Sequence, residues 1–317
     1  MDARSHVTEA KVVIDNSARL PRRGFLSAAS LAAAAIGMSA PSLAAFAADA
    51  PPPVTTETMG KPWTRDRYNQ AMAESGRPTV ISQAEFDAIQ ARKPAAMKMI
   101  AGYLDSHFGK VDPLVMAAFE QVPREYYHYM YQNRIAAPAE AYESTPKPWA
   151  IGYGSALSDY LGQAYMTQLL QPKPGMVSLE VGTGSGFQSS LLSRIVSKSY
   201  SIEIIEPLGH AVSHIFKPLG YDNIETKVGD GYYGWPEVSE GFDVIIVTCA
   251  AEYAPPDLFK QLKPRGRMII PIGQPFKRGQ VLYVYTKDEN GKIHSRRDVG
   301  VFFIPMTGAI QKTPKAT

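Results

Sequence analysis

Residues 179–187 read "LEVGTGSGF", with glycines at 182, 184 and 186. Glycine at every second position weakens a strand and does not sustain a helix. Its flanks are well defined. The preceding run "MVSLEV", Met176 to Val181, is short and apolar, as a strand would be. The following run, Phe187 to Val196, places Leu191, Leu192, Ile195 and Val196 at helical spacing. The stretch therefore reads as strand, glycine loop, helix. Such a unit brings free backbone N–H groups and a helix N-terminus to one point, a geometry that accepts a nucleotide.

The same grammar continues outward. "YSIEII", Tyr200 to Ile205, reads as the next strand, followed by a helix to about Leu219 and a strand at Ile224 to Val228. "FDVIIVT", Phe242 to Thr248, is apolar throughout its centre, as a strand buried on both faces should be. "RMIIPIG", Arg267 to Gly273, is another strand. This alternation predicts an α/β fold with a doubly wound, mostly parallel, Rossmann-like sheet. "QVLYVYTKDENGKIHSRRDVGVFF" predicts a closing antiparallel hairpin that turns at Asn290-Gly291. Upstream, Ser82 with Glu85 forms a capping box, and an amphipathic run goes from Ala95 to about His107. Asp112-Pro113 opens a helix to about Gln121. The region ahead of residue 150 is therefore expected to be helical, with the aromatic run "YYHYMY", Tyr126 to Tyr131, packed inside it. One domain, 95–310, is the simplest division. A linker and helical extension, 48–94, precedes it and a tail, 311–317, follows.

Composition excludes several functions. Of 317 residues, 45% are hydrophobic and 20% charged, with a formal charge of +3 and no basic stripe, so no nucleic-acid partner is expected. Six scattered histidines and one cysteine, Cys249, give neither a metal-ligand pattern nor an intrachain disulfide. The first 47 residues differ from the rest. Arg22 and Arg23 precede Gly24, Phe25 and Leu26, and an Ala- and Ser-rich stretch then runs without charge to Asp49. Ala45 and Ala47 suit a cleavage site, and Pro41 makes the stretch a poor membrane span. These features resemble a twin-arginine signal peptide, with Pro21 where Ser or Thr is usual. They imply recognition by twin-arginine export machinery, a periplasmic or secreted mature chain, and no stable membrane insertion after cleavage; the alternative is a cytoplasmic chain in which the signal is not used. "PPPVTTETMGKPW", Pro51 to Trp63, reads as a linker.

The candidate site follows from the strand ends. Glycines 182, 184 and 186 have the spacing G-x-G-x-G, not the dinucleotide spacing G-x-G-x-x-G, and Thr183 and Ser185 stand between them. Glu180 lies just before the loop. Glu203 ends the second strand, where a carboxylate can accept both hydroxyls of a ribose. Asp230, beside Gly231, follows the third strand and can take the exocyclic amine of an adenine. No Lys or Arg stands in or just after the loop to meet a pyrophosphate. The set suits an adenosine bearing a cationic group, which describes S-adenosyl-L-methionine. Glu180 is expected to favour its sulfonium.

The chain resembles the protein-L-isoaspartate O-methyltransferase family from about Ala95 to Gly308. The resemblance rests on "QVPREYY" (121–127), "IGYGSALS" (151–158), "LEVGTGSGFQ", "VGDGYYGWPE" (228–237), "PPDLFKQLKPRGRMIIPIG" (255–273) and "FIPMTG" (303–308). It implies methyl transfer from S-adenosyl-L-methionine to the α-carboxylate of isoaspartyl residues in damaged proteins. The resulting ester closes to a succinimide that reopens partly to aspartate. It also implies a catalytic contact for Ser158, from the family's T-I-S-x-P loop. Two positions of that loop depart: the threonine is Ala156 and the proline is Tyr160. An acidic residue that the family has before this region is also absent from "AYESTPKPWAIG". Another peptide or small-molecule carboxylate as acceptor, or a catalytically weak peptide-binding module, are the alternatives. A plain N-cap for the next helix is the other reading of Ser158.

Overall fold

A computed structural model describes residues 62–274 and 279–312. The proposed signal peptide, and the linker as far as residue 61, lie outside the described residues.

Four helices open the described chain: α1 (Arg65–Glu74), α2 (Gln83–Gln90), α3 (Lys93–Phe108) and α4 (Pro113–Gln121). The local chemistry sets their ends. Ser82 and Glu85 make both bonds of the capping box at α2. Asp112 accepts the Leu114 N–H ahead of Pro113 at α4. Pro94 stands in the first turn of α3, where α2 has already ended at Gln90. The segment between α4 and residue 150 is not helical throughout, contrary to expectation. It contains the short antiparallel pair β1 (Tyr129–Met130) and β2 (Ile135–Ala136). Next comes the hairpin β3 (Trp149–Gly152) and β4 (Ser155–Leu157). The hairpin tip needs positive φ at Gly152, Tyr153 and Gly154 in succession, which the glycines allow and no helix would tolerate.

The expected sheet is present. Helix α5 (Tyr160–Leu170) leads into β5 (Val177–Val181), α6 (Phe187–Ser193), β6 (Lys198–Glu203), α7 (Glu206–Ser213), β7 (Ile224–Val228) and β8 (Phe242–Val247). Then follow α8 (Pro256–Gln261), β9 (Leu262–Ile272), β10 (Gln280–Lys287) and β11 (Ile293–Val301). The seven strands lie in the order β11-β10-β9-β8-β5-β6-β7. Strands β5 to β9 pair in parallel, while β10 and β11 add antiparallel to the β9 edge. The last turn closes at Gly291, whose N–H bonds the Asp288 carbonyl at 3.1 Å. Sequence order reverses on either side of β5, so a switch point opens at its carboxyl end.

Helices α6 and α7 cover one face and α8 the other. Residues 63–90 belong to the first of these layers. Tyr68, Ala71 and Met72 are fully buried in the same cluster as Phe187 and Leu191. Buried Glu125 ties them down by accepting from Trp63 Nε1 (2.8 Å), Gln90 Nε2 (2.5 Å) and the Tyr142 hydroxyl (2.7 Å). Arg77 stacks over Tyr126 at 4.1 Å from the ring centre, and Tyr126, Tyr127, Tyr129 and Tyr131 are all buried. The aromatic run therefore packs within the core. Among the described residues no helix is long and apolar enough to cross a membrane.

Candidate active site

The glycine loop leaves β5 at the switch point and folds over the end of β6. Gly182 and Thr183 both donate to the Ile202 carbonyl, at 2.9 and 3.2 Å, and Gly186 donates to the Thr183 carbonyl at 2.8 Å. This path requires φ of +99°, +54° and +81° at Gly182, Gly184 and Gly186. The three glycines are not equivalent. A Cβ on Gly182 would stand 2.5 Å from Thr248 Oγ1, and one on Gly186 would stand 2.8 Å from Ile215 and Phe216. A Cβ on Gly184 would meet nothing closer than 3.8 Å. Gly182 and Gly186 therefore serve packing, whereas Gly184 keeps backbone open toward the hairpin β3–β4.

Between that loop and hairpin lies a cavity of about 390 Å³. This falls in the range of small-molecule sites, about 300–1,000 Å³. It is bounded by residues 153–158, the glycine loop, Glu203, Gly231, Thr248, Cys249 and the segment 302–307. Glu180, Gly182, Thr183, Gly184, Ser185 and Ser158 are thus brought to one place together with Gln188, whereas Gly186, expected among them, does not border the cavity and instead packs against Ile215 and Phe216. Glu203 is 5% exposed. Its two oxygens accept the N–H groups of Gly184 (2.8 Å) and Ile205 (3.0 Å). Burial raises its pKa, although those backbone bonds oppose the shift.

Two acids differ from the sequence-based expectation. Glu180 lies under the loop, with the Ser189 and Ser201 hydroxyls both donating to Oε2. Burial pushes its pKa up to about 8, so it is mostly neutral at pH 7 and does not present the anion expected beside a sulfonium. Asp230 is absent from the cavity wall, while Gly231 is present. Its carboxylate accepts from Tyr232 N (2.9 Å) and Ala309 N (2.7 Å). It thereby caps a short 3-10 turn and ties residue 309 to the end of β7.

Ser158 is half-buried and borders the same cavity. It is not the N-cap of α5. Asp159 caps that helix, with Oδ1 accepting the Gly162 N–H at 2.8 Å. The Ser158 hydroxyl is therefore not committed to the helix end. Of the two departures in this loop, Ala156 borders the cavity, but Tyr160 does not. The Tyr160 hydroxyl donates to the Glu143 carbonyl at 2.6 Å, and its backbone starts α5, where a proline would also fit.

Several residues here escaped sequence reasoning. Arg124, 3% exposed, donates to the Ser158 carbonyl (2.7 Å) and to Gln163 Oε1 (2.6 Å). Burial lowers its pKa to about 10, which still leaves it charged at neutral pH. Thr248 bonds the carbonyls of Val181 and Gly182 and clamps the loop to β8. Residues 302–307 close the cavity because Ala250 N bonds the Ile304 carbonyl and Met306 N bonds the Ala250 carbonyl. None of these has a local signature. A lone arginine in "QVPREYY" and a coil after the last strand acquire their roles only when distant segments meet.

A glycine loop at the switch point, an acid ending the adjacent strand and no cation on the described cavity wall define a Rossmann-like methyltransferase. The family model of protein-L-isoaspartate(D-aspartate) O-methyltransferase matches residues 98–311, and the chain belongs to that family. It is 42% identical to protein-L-isoaspartate O-methyltransferase 1 of Nitrosospira multiformis, over 72% of this chain and 91% of that protein. It is 46% identical to protein-L-isoaspartate O-methyltransferase 2 of Syntrophobacter fumaroxidans, over 62% of this chain and 76% of that one. Among solved structures, a protein-L-isoaspartate O-methyltransferase superposes with a TM-score of 0.59 at 25% identity, covering 69% of this chain and 67% of that one. A Plasmodium falciparum protein described as a protein-L-isoaspartate O-methyltransferase, in complex with S-adenosyl-L-homocysteine, superposes with a TM-score of 0.54. It is also 25% identical, with coverage of 67% and 98%.

Proposed function

We propose that this chain is a protein-repair enzyme that uses S-adenosyl-L-methionine to methylate the α-carboxylate of L-isoaspartyl residues in damaged proteins and peptides. One observation carries the reading: the open backbone at Gly184 and Ser158, whose hydroxyl is not used as a helix cap, border one cavity.

The residues present fit the cofactor. The Glu203 carboxylate keeps acceptor capacity beyond its two backbone bonds and suits ribose hydroxyls. Gly182, Thr183, Gly184, Ser185 and Gly186 form the loop over which the nucleoside would lie, and Gly231 borders the same cavity, packed so closely on Val181 that a Cβ there would stand 2.3 Å from it. Glu180 ties β5 to α6 and β6 through Ser189 and Ser201, and Asp230 ties the end of β7 to residue 309. When bound, the cofactor supplies a methyl group on a positively charged sulfur. An acceptor carboxylate with a pKa of ~4 is already ionised at neutral pH, so the chain needs no general base. The described cavity wall accordingly holds no lysine, arginine or histidine. What the chain provides is position, and Ser158 would donate to the acceptor carboxylate.

The test is methyl transfer to an isoaspartyl peptide, with the aspartyl peptide and Ser158→Ala as controls. Turnover confined to the isoaspartyl form and lost in the variant is the expected result. Transfer to free small carboxylates instead would move the activity to another acceptor class, with Ala156 as the first position to examine.

The same proposal covers location. Residues 1–47 act as a twin-arginine signal that is cleaved after Ala47, and the mature enzyme works in the periplasm or outside the cell. The Arg22-Arg23 pair, the uncharged stretch behind it and the single cysteine support this, because that route carries folded proteins and this fold requires no disulfide. Replacing both arginines with lysine should retain the unprocessed chain inside cells. An unchanged distribution would rule the signal out.

A further inference from the structure

Asparagine is followed by glycine once in this chain, at Asn290-Gly291, and aspartate is followed by glycine once, at Asp230-Gly231. The other asparagines precede Ser, Gln, Arg or Ile. A following glycine has no Cβ to shield its backbone nitrogen, so that nitrogen can reach the side-chain carbonyl carbon of the residue before it. The fold treats the two pairs differently. Gly231 is buried, and the Asp230 carboxylate is held by Tyr232 N (2.9 Å) and Ala309 N (2.7 Å). Asn290 and Gly291 are both exposed, at the tip of the β10–β11 hairpin, and a Cβ on Gly291 would meet nothing within 4 Å. Asn290 is bonded among the described residues through its backbone N–H, to Asp288 Oδ1 at 3.0 Å, which leaves its side-chain amide free. The Gly291 N–H is restrained by the Asp288 carbonyl at 3.1 Å.

We infer that Asn290 is a modification site of the folded chain: it deamidates to isoaspartate, and a second copy of this chain methylates the product. The second half of this inference rests on the isoaspartyl methyltransferase reading. In the first step the Gly291 nitrogen bonds to Asn290 Cγ, the Cγ–NH₂ bond breaks, and ammonia leaves with the proton of the Gly291 N–H. Water then opens the five-membered imide. Hydrolysis at the α-carbonyl gives isoaspartate with a free α-carboxylate, and hydrolysis at Cγ gives aspartate. The topology keeps the site away from its own cavity. Strand β11, nine residues long, separates the turn from residues 302–307, which close the cavity. At about 3.3 Å per residue the two lie roughly 25–30 Å apart. Pairing from Gln280↔Val301 to Lys287↔Ile293 holds the hairpin straight, so the turn cannot fold back and an acceptor here must enter another molecule. Asp288 is the restraint on the reaction. Its Oδ1 also accepts Lys292 N at 2.9 Å, and its Oδ2 meets His294 Nε2 at 2.9 Å, so one carboxylate fixes the turn from three sides.

The test ages the full chain in mildly alkaline buffer without cofactor and reads residue 290 by tandem mass spectrometry, which separates isoaspartate from aspartate. Isoaspartate should accumulate at 290 and not at 230. Asn290→Gln should abolish it while keeping wild-type activity on an isoaspartyl peptide, and Asp288→Ala should speed it by freeing the turn. When S-adenosyl-L-methionine is added to the aged chain, the initial rate of methyl incorporation should rise as the square of protein concentration, as an encounter between two copies requires. Aged Ser158→Ala chain should likewise accept methyl groups from fresh Asn290→Gln enzyme. Asn290 left intact under conditions that deamidate an Asn-Gly peptide would overturn this inference and leave the function standing. Isoaspartate at 290 that stays unmethylated by enzyme active on the isoaspartyl peptide would overturn it too, as would incorporation linear in protein concentration. A fresh chain without turnover on either acceptor would overturn the function and this inference with it.

Discussion

The carboxylate of Glu203 accepts the N–H of Gly184 at 2.8 Å, so the acid at the end of β6 holds the open apex of the loop that it faces. The second oxygen is anchored by Ile205 N at 3.0 Å, and the side chain cannot swing away. Replacement by alanine removes both the ribose acceptor and the restraint on the loop. Glu203→Ala should weaken S-adenosyl-L-homocysteine binding about 10- to 100-fold in calorimetry, since bonds to a charged group are each worth about 1.5–3 kcal/mol.

The glycines of the loop should separate folding from binding. Gly182→Ala puts a methyl 2.5 Å from Thr248 Oγ1 at φ +99°, where both the clash and the backbone oppose it. Gly184→Ala has no such clash and bears only the cost of the left-handed conformation, about 1–2 kcal/mol. Thermal unfolding should show the larger loss for Gly182→Ala. Ligand titration should show that Gly184→Ala folds yet binds the cofactor product at least 10-fold more weakly, because its methyl enters the cavity.

Ser158 and Asp159 are adjacent but have different tasks. Asp159→Ala removes the cap of α5 and should lower stability by about 1 kcal/mol. Ser158→Ala leaves the cap intact, so its melting temperature should stay within a degree or so of wild type while turnover falls. If Ser158→Ala were instead the destabilising change, this division of labour would be wrong.

Glu180 makes stability depend on pH in a definite direction. Its folded pKa of about 8 exceeds the unfolded value of about 4.3, so the folded protein binds the extra proton between those limits. Stability from this group is present in acid and is lost as pH rises through that window. Both serines donate to the same oxygen, Oε2, which a glutamine carbonyl can replace. Glu180→Gln should therefore flatten the fall in melting temperature between about pH 4 and pH 8. The direction of the change is the check: a wild type that gains stability over that range would contradict it.

The N-terminal extension is buried in the same cluster as α6. Glu125→Leu leaves the donors of Trp63, Gln90 and Tyr142 without their acceptor, two of them in the extension. Unsatisfied buried groups cost about 1–3 kcal/mol each. The variant should unfold several degrees lower and expose residues before α3 to proteolysis first, with the sheet still resistant.

Local patterns sufficed for the sheet and the glycine loop. Apolar runs between helical stretches determine strands buried on both faces. Alternate glycines determine a backbone that L-residues rarely adopt, as the positive φ at 182, 184 and 186 shows. Caps such as Ser82–Glu85 and Asp112–Pro113 were legible because their bonds span three residues or fewer. The β1–β2 pair and the β3–β4 hairpin were not, because strands of two to four residues carry too little periodicity to outweigh a helical neighbourhood.

The state and orientation of the site residues were decided only by the fold. Glu180 looks like any anion in sequence, yet burial beneath the loop holds its proton. Asp230 looks like a ligand contact, yet Ala309, far along the chain, engages its carboxylate. Arg124 shows no purpose until Ser158 and Gln163 arrive beside it. The physical reason is common to all three. Backbone preference is set by each residue and its near neighbours, whereas desolvation and side-chain hydrogen bonding depend on which distant segments share the same few ångströms.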